Sequence, residues 1–116
     1  MRPAAISVIL PAYRASSVVA TTVARIRSAM PGKEVEIIVV DDGSGDDTDL
    51  AASRAGADQV IKLQENRGKG AAVRAGMLNA VGSHFVFTDV DLAYDPSQIP
   101  ALIDALESGA DVALGS

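Results

Sequence analysis

Residues 35–48 read VEIIVVDDGSGDDT, and the fold class follows from them. Apart from Glu36, residues 35–40 are all Val or Ile. A β-branched run without polar alternation suits a strand covered on both faces, as in a parallel sheet. The acidic segment ends that strand. Gly43 and Gly45 permit a turn with positive φ, and Asp46 or Asp47 is placed to cap a short helix over 48–55.

The same alternation continues in both directions. Upstream, 6–10 is an apolar strand stopped by Pro11. Val19, Val23, Ile26 and Met30 then recur at helical spacing until Pro31-Gly32. Downstream, the pattern predicts a strand at 60–63, a loop at 64–70, a helix over 71–81 and a strand at 85–88. Ile99, Leu102, Ile103 and Leu106 mark a further helix between Pro96 and Gly109, and 112–114 begins a fifth strand. The order β-α-β-α-β-α-β-α-β implies a single α/β domain: a parallel, Rossmann-like sheet with right-handed crossovers. No internal repeat or linker interrupts it.

Composition narrows the function. The chain has 116 residues, one domain's worth, and a formal net charge of −5, which excludes a basic nucleic-acid-binding surface. It has no cysteine, so disulfides, zinc–thiolate sites and a thiol nucleophile are excluded. The apolar stretch after Met1-Arg2-Pro3, about five residues, is too short for a signal peptide or a membrane span, and a cytoplasmic setting is expected. With one His and no G-x-S-x-G elbow, no Ser/His/Asp triad is supported. His84 is expected in a turn before its strand, without a catalytic role.

Ligands of such sheets bind beyond the carboxyl ends of the strands. Those four loops hold Pro11-Ala12-Tyr13, Asp41-Asp42-Gly43-Ser44, Asn66-Arg67-Gly68-Lys69-Gly70 and Asp89-Val90-Asp91. Asp89 and Asp91 are one residue apart in an extended segment, so both carboxylates can face one site. Hard cations such as Mg²⁺ and Mn²⁺ prefer oxygen ligands of this kind, shared with substrate phosphates. A capping turn before Pro96 is the alternative use, and the position at a strand end favours the metal. Asp41 and Asp42 can accept hydrogen bonds from a base or a ribose, with Asp42 assigned that role ahead of turn capping. The 67–70 stretch opens a helix, where glycines, the helix N-terminus and Arg67 or Lys69 would favour a phosphate. It matches neither a P-loop nor G-x-G-x-x-G, and a solvated turn is the other reading. Tyr13 either stacks on a nucleobase or packs its loop against the core.

With these residues in place, the chain resembles the family-2 glycosyltransferases of the GT-A fold. The matching stretches are ISVILPAY at 6–13, EIIVVDDGSGDDT at 36–48, NRGKGAAVRAG at 66–76 and FTDVDL at 87–92. Within the family it looks most like the polyprenyl-phosphate sugar synthases, relatives of dolichyl-phosphate mannose synthase. The resemblance implies a donor site for a UDP- or GDP-linked sugar. Pro11, Ala12, Tyr13, Asp41, Asp42, Lys69 and Asp89 would bind the nucleotide, and Asp89 with Asp91 would hold Mg²⁺ or Mn²⁺. It implies transfer to an acceptor such as a polyprenyl phosphate, at the inner membrane face in a longer protein.

The chain departs from that subgroup at Arg14 and Ala15, where the subgroup carries Asn-Glu after the Tyr, and at Ala93, where it favours Gln. Its length is roughly half that of a full catalytic domain of this kind. The resemblance therefore places the acceptor site and catalytic base beyond Ser116, and residues 1–116 are expected to bind nucleotide weakly without turnover. A cut at the fifth strand would expose a sheet edge and favour a homo-oligomer. Three rival readings compete with this one. A receiver-type phosphoacceptor domain would carry its acidic pair after the first strand and a Lys after the fifth, whereas Lys69 is the last Lys. A sugar-1-phosphate nucleotidyltransferase would need a Gly-rich basic loop after the first strand. A non-catalytic nucleotide-binding or interaction module descended from a transferase is the third.

Overall fold

The Val35–Asp42 segment forms β2, and β1 (Ile6–Ala12) lies parallel to it from Ile6 opposite Val35 to Ala12 opposite Asp41. The computed structural model describes residues 6–29, 34–81, 84–88 and 113–115. In chain order these give β1, α1 (Val19–Ala29), β2, α2 (Thr48–Arg54), β3 (Gln59–Leu63), α3 (Lys69–Asn79), β4 (His84–Thr88) and β5 (Ala113–Gly115). The strands make one parallel sheet in the order β3-β2-β1-β4-β5. The expected helix at Ile99–Leu106 lies outside the described residues.

Alternation along β1 and β2 divides the core. Ile6, Val8, Leu10 and Ala12 of β1, with Ile37 and Val39 of β2, meet Val19, Val23 and Ile26 of α1 and Ala52 of α2 on one face. Ile9, Ile38 and Val40 meet Ala72 of α3 on the other. Each fully buried Val or Ile contributes about 1.5–3 kcal/mol, so β1 and β2 carry much of the domain's stability. At Gly76 an added Cβ would come within 2.5 Å of Ile9 Cγ2, which is how closely α3 lies on β1.

Several boundaries differ from the expected ones. β1 runs through Pro11 to Ala12 instead of stopping at Leu10. Pro11 lies opposite Val40 of β2, beyond the described pairing with β4, which ends at Ile9 and Phe87. β2 includes the acidic pair itself. α3 begins at Lys69, two residues early, after Gly68 at φ +96°. His84 is the first residue of β4 and not part of a turn, because β4 pairs with β1 from Ile6 opposite His84 onward.

Candidate nucleotide-binding cleft

At the carboxyl edge of β1 and β2, Pro11, Ala12, Tyr13, Asp42, Asn66, Gly68 and Lys69 line a cleft of about 260 Å³. Five of the seven sequence-predicted nucleotide residues line it: Pro11, Ala12, Tyr13, Asp42 and Lys69. Asp41 does not, and Asp89 and Asp91 lie outside the described residues. β4 nevertheless brings the chain to the right edge. It ends at Thr88, the residue before Asp89, and its Phe87 pairs with Ile9 of β1.

The adjacent aspartates separate because β2 alternates. Asp41 falls on the face of Ile37 and Val39, fully buried; its Oδ1 accepts from the N–H of Ser44 at 3.0 Å. Its Oδ2 is buried and has no hydrogen-bond partner among the described residues. Asp42 falls on the α3 face. Its Oδ1 accepts from the N–H of Arg67 at 2.8 Å and its Oδ2 from the N–H of Gly68 at 2.9 Å. Asn66 Nδ2 donates to the Asp42 carbonyl at 3.2 Å. One carboxylate thus holds the entry to α3, where backbone N–H groups are left without intrahelical partners. Asn66 and Gly68 also line the cleft, although in the sequence they stand out only as members of the basic loop.

Gly43 makes this approach feasible. It has φ +71°, and a Cβ there would collide with the backbone of Glu65 and Asn66. The loops after β2 and β3 therefore meet backbone to backbone, and glycine is required twice over.

The loop after β1 is tied to the loop after β2. The N–H of Arg14 donates to Ser44 Oγ at 2.7 Å, and that of Ala15 to Thr48 Oγ1 at 3.0 Å. Thr48 Oγ1 in turn donates to Asp46 Oδ1 at 2.5 Å, and the Thr48 N–H to the same oxygen at 2.9 Å. Of the two candidate caps, Asp46 makes these bonds; Asp47, at the N-cap position, makes no side-chain cap bond. The Thr48 hydroxyl, then the Thr48 amide, hold the Asp46 carboxyl below its ordinary value of 3.8, with the charge of Arg14 assisting.

At the opposite edge of the sheet, Glu36 is buried and accepts from Ser7 Oγ (2.8 Å), Gln59 Nε2 (2.8 Å) and the N–H of Val81 (3.0 Å). This hub ties β1, β2 and β3 to the segment entering β4. No role was assigned to it from sequence, although a charge inside an otherwise apolar strand is the signal to look for.

The profile of glycosyl transferase family 2 matches residues 7–116. The dolichol-phosphate mannosyltransferase of Pyrococcus furiosus is 38% identical over 114 residues, covering 96% of this chain and 32% of that protein. An undecaprenyl-phosphate 4-deoxy-4-formamido-L-arabinose transferase of Pectobacterium atrosepticum is 33% identical, covering 92% and 35%. Among solved structures, glucosyl-3-phosphoglycerate synthase of Mycobacterium tuberculosis, bound to Mn²⁺, UDP and glucosyl-3-phosphoglycerate, superposes with a TM-score of 0.76. It is 31% identical, with 91% of this chain and 40% of that one covered. The same enzyme has also been crystallised with Mg²⁺ and UDP. The chain spans about a third of the length of the curated relatives it matches. The parallel sheet is that of a GT-A fold, and the chain belongs to glycosyl transferase family 2.

Proposed function

We propose that this chain forms the donor-binding part of a glycosyltransferase that moves a sugar from a nucleoside diphosphate to an acceptor, a polyprenyl phosphate by analogy with the curated relatives. The observation that carries the reading is the cleft itself. An exposed aromatic ring, a carboxylate and a helix N-terminus converge at the ligand edge of a parallel sheet.

Each part has a matching task. The Tyr13 ring, with Pro11 and Ala12, offers a surface for the nucleobase. Asp42 spends one lone pair of each oxygen on the Arg67 and Gly68 amides, and a carboxylate has about four acceptor sites, so capacity remains for a ribose hydroxyl. The N-terminus of α3, with Lys69, favours the diphosphate. Asp89 and Asp91 would hold Mg²⁺ or Mn²⁺. Their donor set fits, since two carboxylates and phosphate oxygens are the hard ligands such ions take. A bound divalent ion would offset the charge that develops on the departing diphosphate. In the transfer, the bond from the anomeric carbon to the diphosphate breaks, and its electron pair leaves with the diphosphate. An acceptor oxygen forms the new bond. A phosphate acceptor is already anionic and needs no proton removed.

Calorimetric titration of UDP and GDP, with and without Mn²⁺, tests this. One nucleotide is expected to bind in a Mn²⁺-dependent way, and Asp91→Ala is expected to weaken it by at least about tenfold, or 1.4 kcal/mol. Absence of binding by either nucleotide to a sample that unfolds cooperatively would refute the reading.

A further inference from the structure

Arg14 is the single non-glycine residue with positive φ among the described residues, at +50°. Side-chain-bearing residues resist that conformation, so something must hold it there. The holding bonds are the Arg14 N–H on Ser44 Oγ and, one residue on, the Ala15 N–H on Thr48 Oγ1. Their result is local. The Arg14 guanidinium carbon lies 5.1 Å from the centroid of the Tyr13 ring, within cation–π range. Tyr13 is 45% exposed and lines the cleft, whereas Arg14 is not among the lining residues. The guanidinium therefore contacts the ring without itself lining the cleft.

We propose that Arg14 is a positioning residue for the nucleobase: it braces Tyr13, so that the ring presents one fixed surface to the ligand. This rests on the nucleoside-diphosphate reading above and adds to it a residue that does not line the cleft. An exposed tyrosine without a brace samples several rotamers and must be immobilised when ligand binds, which weakens binding. A ring already held by a flat cation avoids that cost. Lysine keeps the charge but not the planar group that stacks on an aromatic face, so it substitutes only in part.

The test is a double-mutant cycle read by calorimetry, using the nucleotide the wild type binds and its monophosphate. The variants are Arg14→Ala, Arg14→Lys, Tyr13→Ala and the Arg14→Ala/Tyr13→Ala pair. Alanine meets the same left-handed restriction as arginine, so the backbone cost is unchanged, and denaturant unfolding of each variant checks the fold. Arg14→Ala is expected to weaken binding about two- to fivefold, the size of an exposed cation–π contact, with Arg14→Lys in between. The loss should be equal for mono- and diphosphate, and it should vanish in the Tyr13→Ala background, because the brace acts only through that ring. Unchanged affinity in Arg14→Ala, beside a binding wild type, would overturn the brace and leave the donor site standing. So would a loss that persists without Tyr13 and grows with the diphosphate, which would make Arg14 a direct phosphate ligand. A wild type that binds neither UDP nor GDP would remove both readings.

Discussion

At the scale of single residues, Asp42 does two things that sequence alone does not separate. It lines the cleft, and its carboxylate holds the Arg67 and Gly68 amides at the start of α3. Hydrogen bonds to a charged group are worth about 1.5–3 kcal/mol each, and water can recover part of the loss at an exposed loop. Asp42→Ala should therefore lower stability by about 2–3 kcal/mol in urea denaturation while also weakening nucleotide binding. Asp42→Asn keeps one acceptor oxygen and should lose about half as much stability. If Asp42→Ala abolished binding with stability unchanged, the clamp would carry no weight and Asp42 would be a ligand contact alone. Asp41 is the contrasting case. The same residue type one position earlier turns to the other face and bonds Ser44 instead. Period-two alternation predicts that split, which the shared residue type of the two aspartates hides.

Among elements, the alternating apolar runs made the strands and helices legible, because burial on both sheet faces leaves an uninterrupted Val/Ile signature. The boundaries that shifted are those set by contacts across long sequence separations. α3 starts at Lys69 because Asp42, 26 residues before Gly68, fixes the entry to the helix. β1 continues through Pro11 because β2 continues beside it. The Glu36 hub and the tie between Ala15 and Thr48 were unreadable for the same reason, since no local pattern says which donors will arrive. Two glycines show how differently elements meet. At Gly76 the obstacle to a Cβ is the buried, β-branched side chain of Ile9, which would have to repack; overpacking of about 1–3 kcal/mol is offset in part by roughly 1 kcal/mol of helix propensity. At Gly43 the obstacle is backbone and φ is +71°, so neither relief is available. Gly76→Ala should cost up to about 2 kcal/mol, and Gly43→Ala a larger amount, at least about 2 kcal/mol, with loss of nucleotide binding. Equal costs in thermal unfolding would mean that the two loops do not touch as described.

For the whole molecule, the sheet order decides how stability reaches the site. β1 and β2 are inner strands whose residues are almost all buried, while β3 is an edge strand with partly exposed residues. The cleft hangs on loops that leave β1, β2 and β3, so its rigidity comes from the inner strands below and from the cross-loop bonds above. Native-state hydrogen exchange should reproduce this gradient. Amides of Val8–Leu10 and Ile37–Val40 should exchange only through global unfolding, and those of α2 and β3 through smaller openings. Nucleotide at a hundred times its dissociation constant stabilises the folded state by about 2.7 kcal/mol, and should slow the inner-strand amides about a hundredfold. Amides of Ala51–Arg54, whose opening can leave the cleft formed, should slow far less. Uniform slowing across all elements would mean that the domain opens as one unit, with the cleft no more separable than the core. Inner strands that do not respond at saturating nucleotide would mean that the ligand is not held by the folded sheet at all.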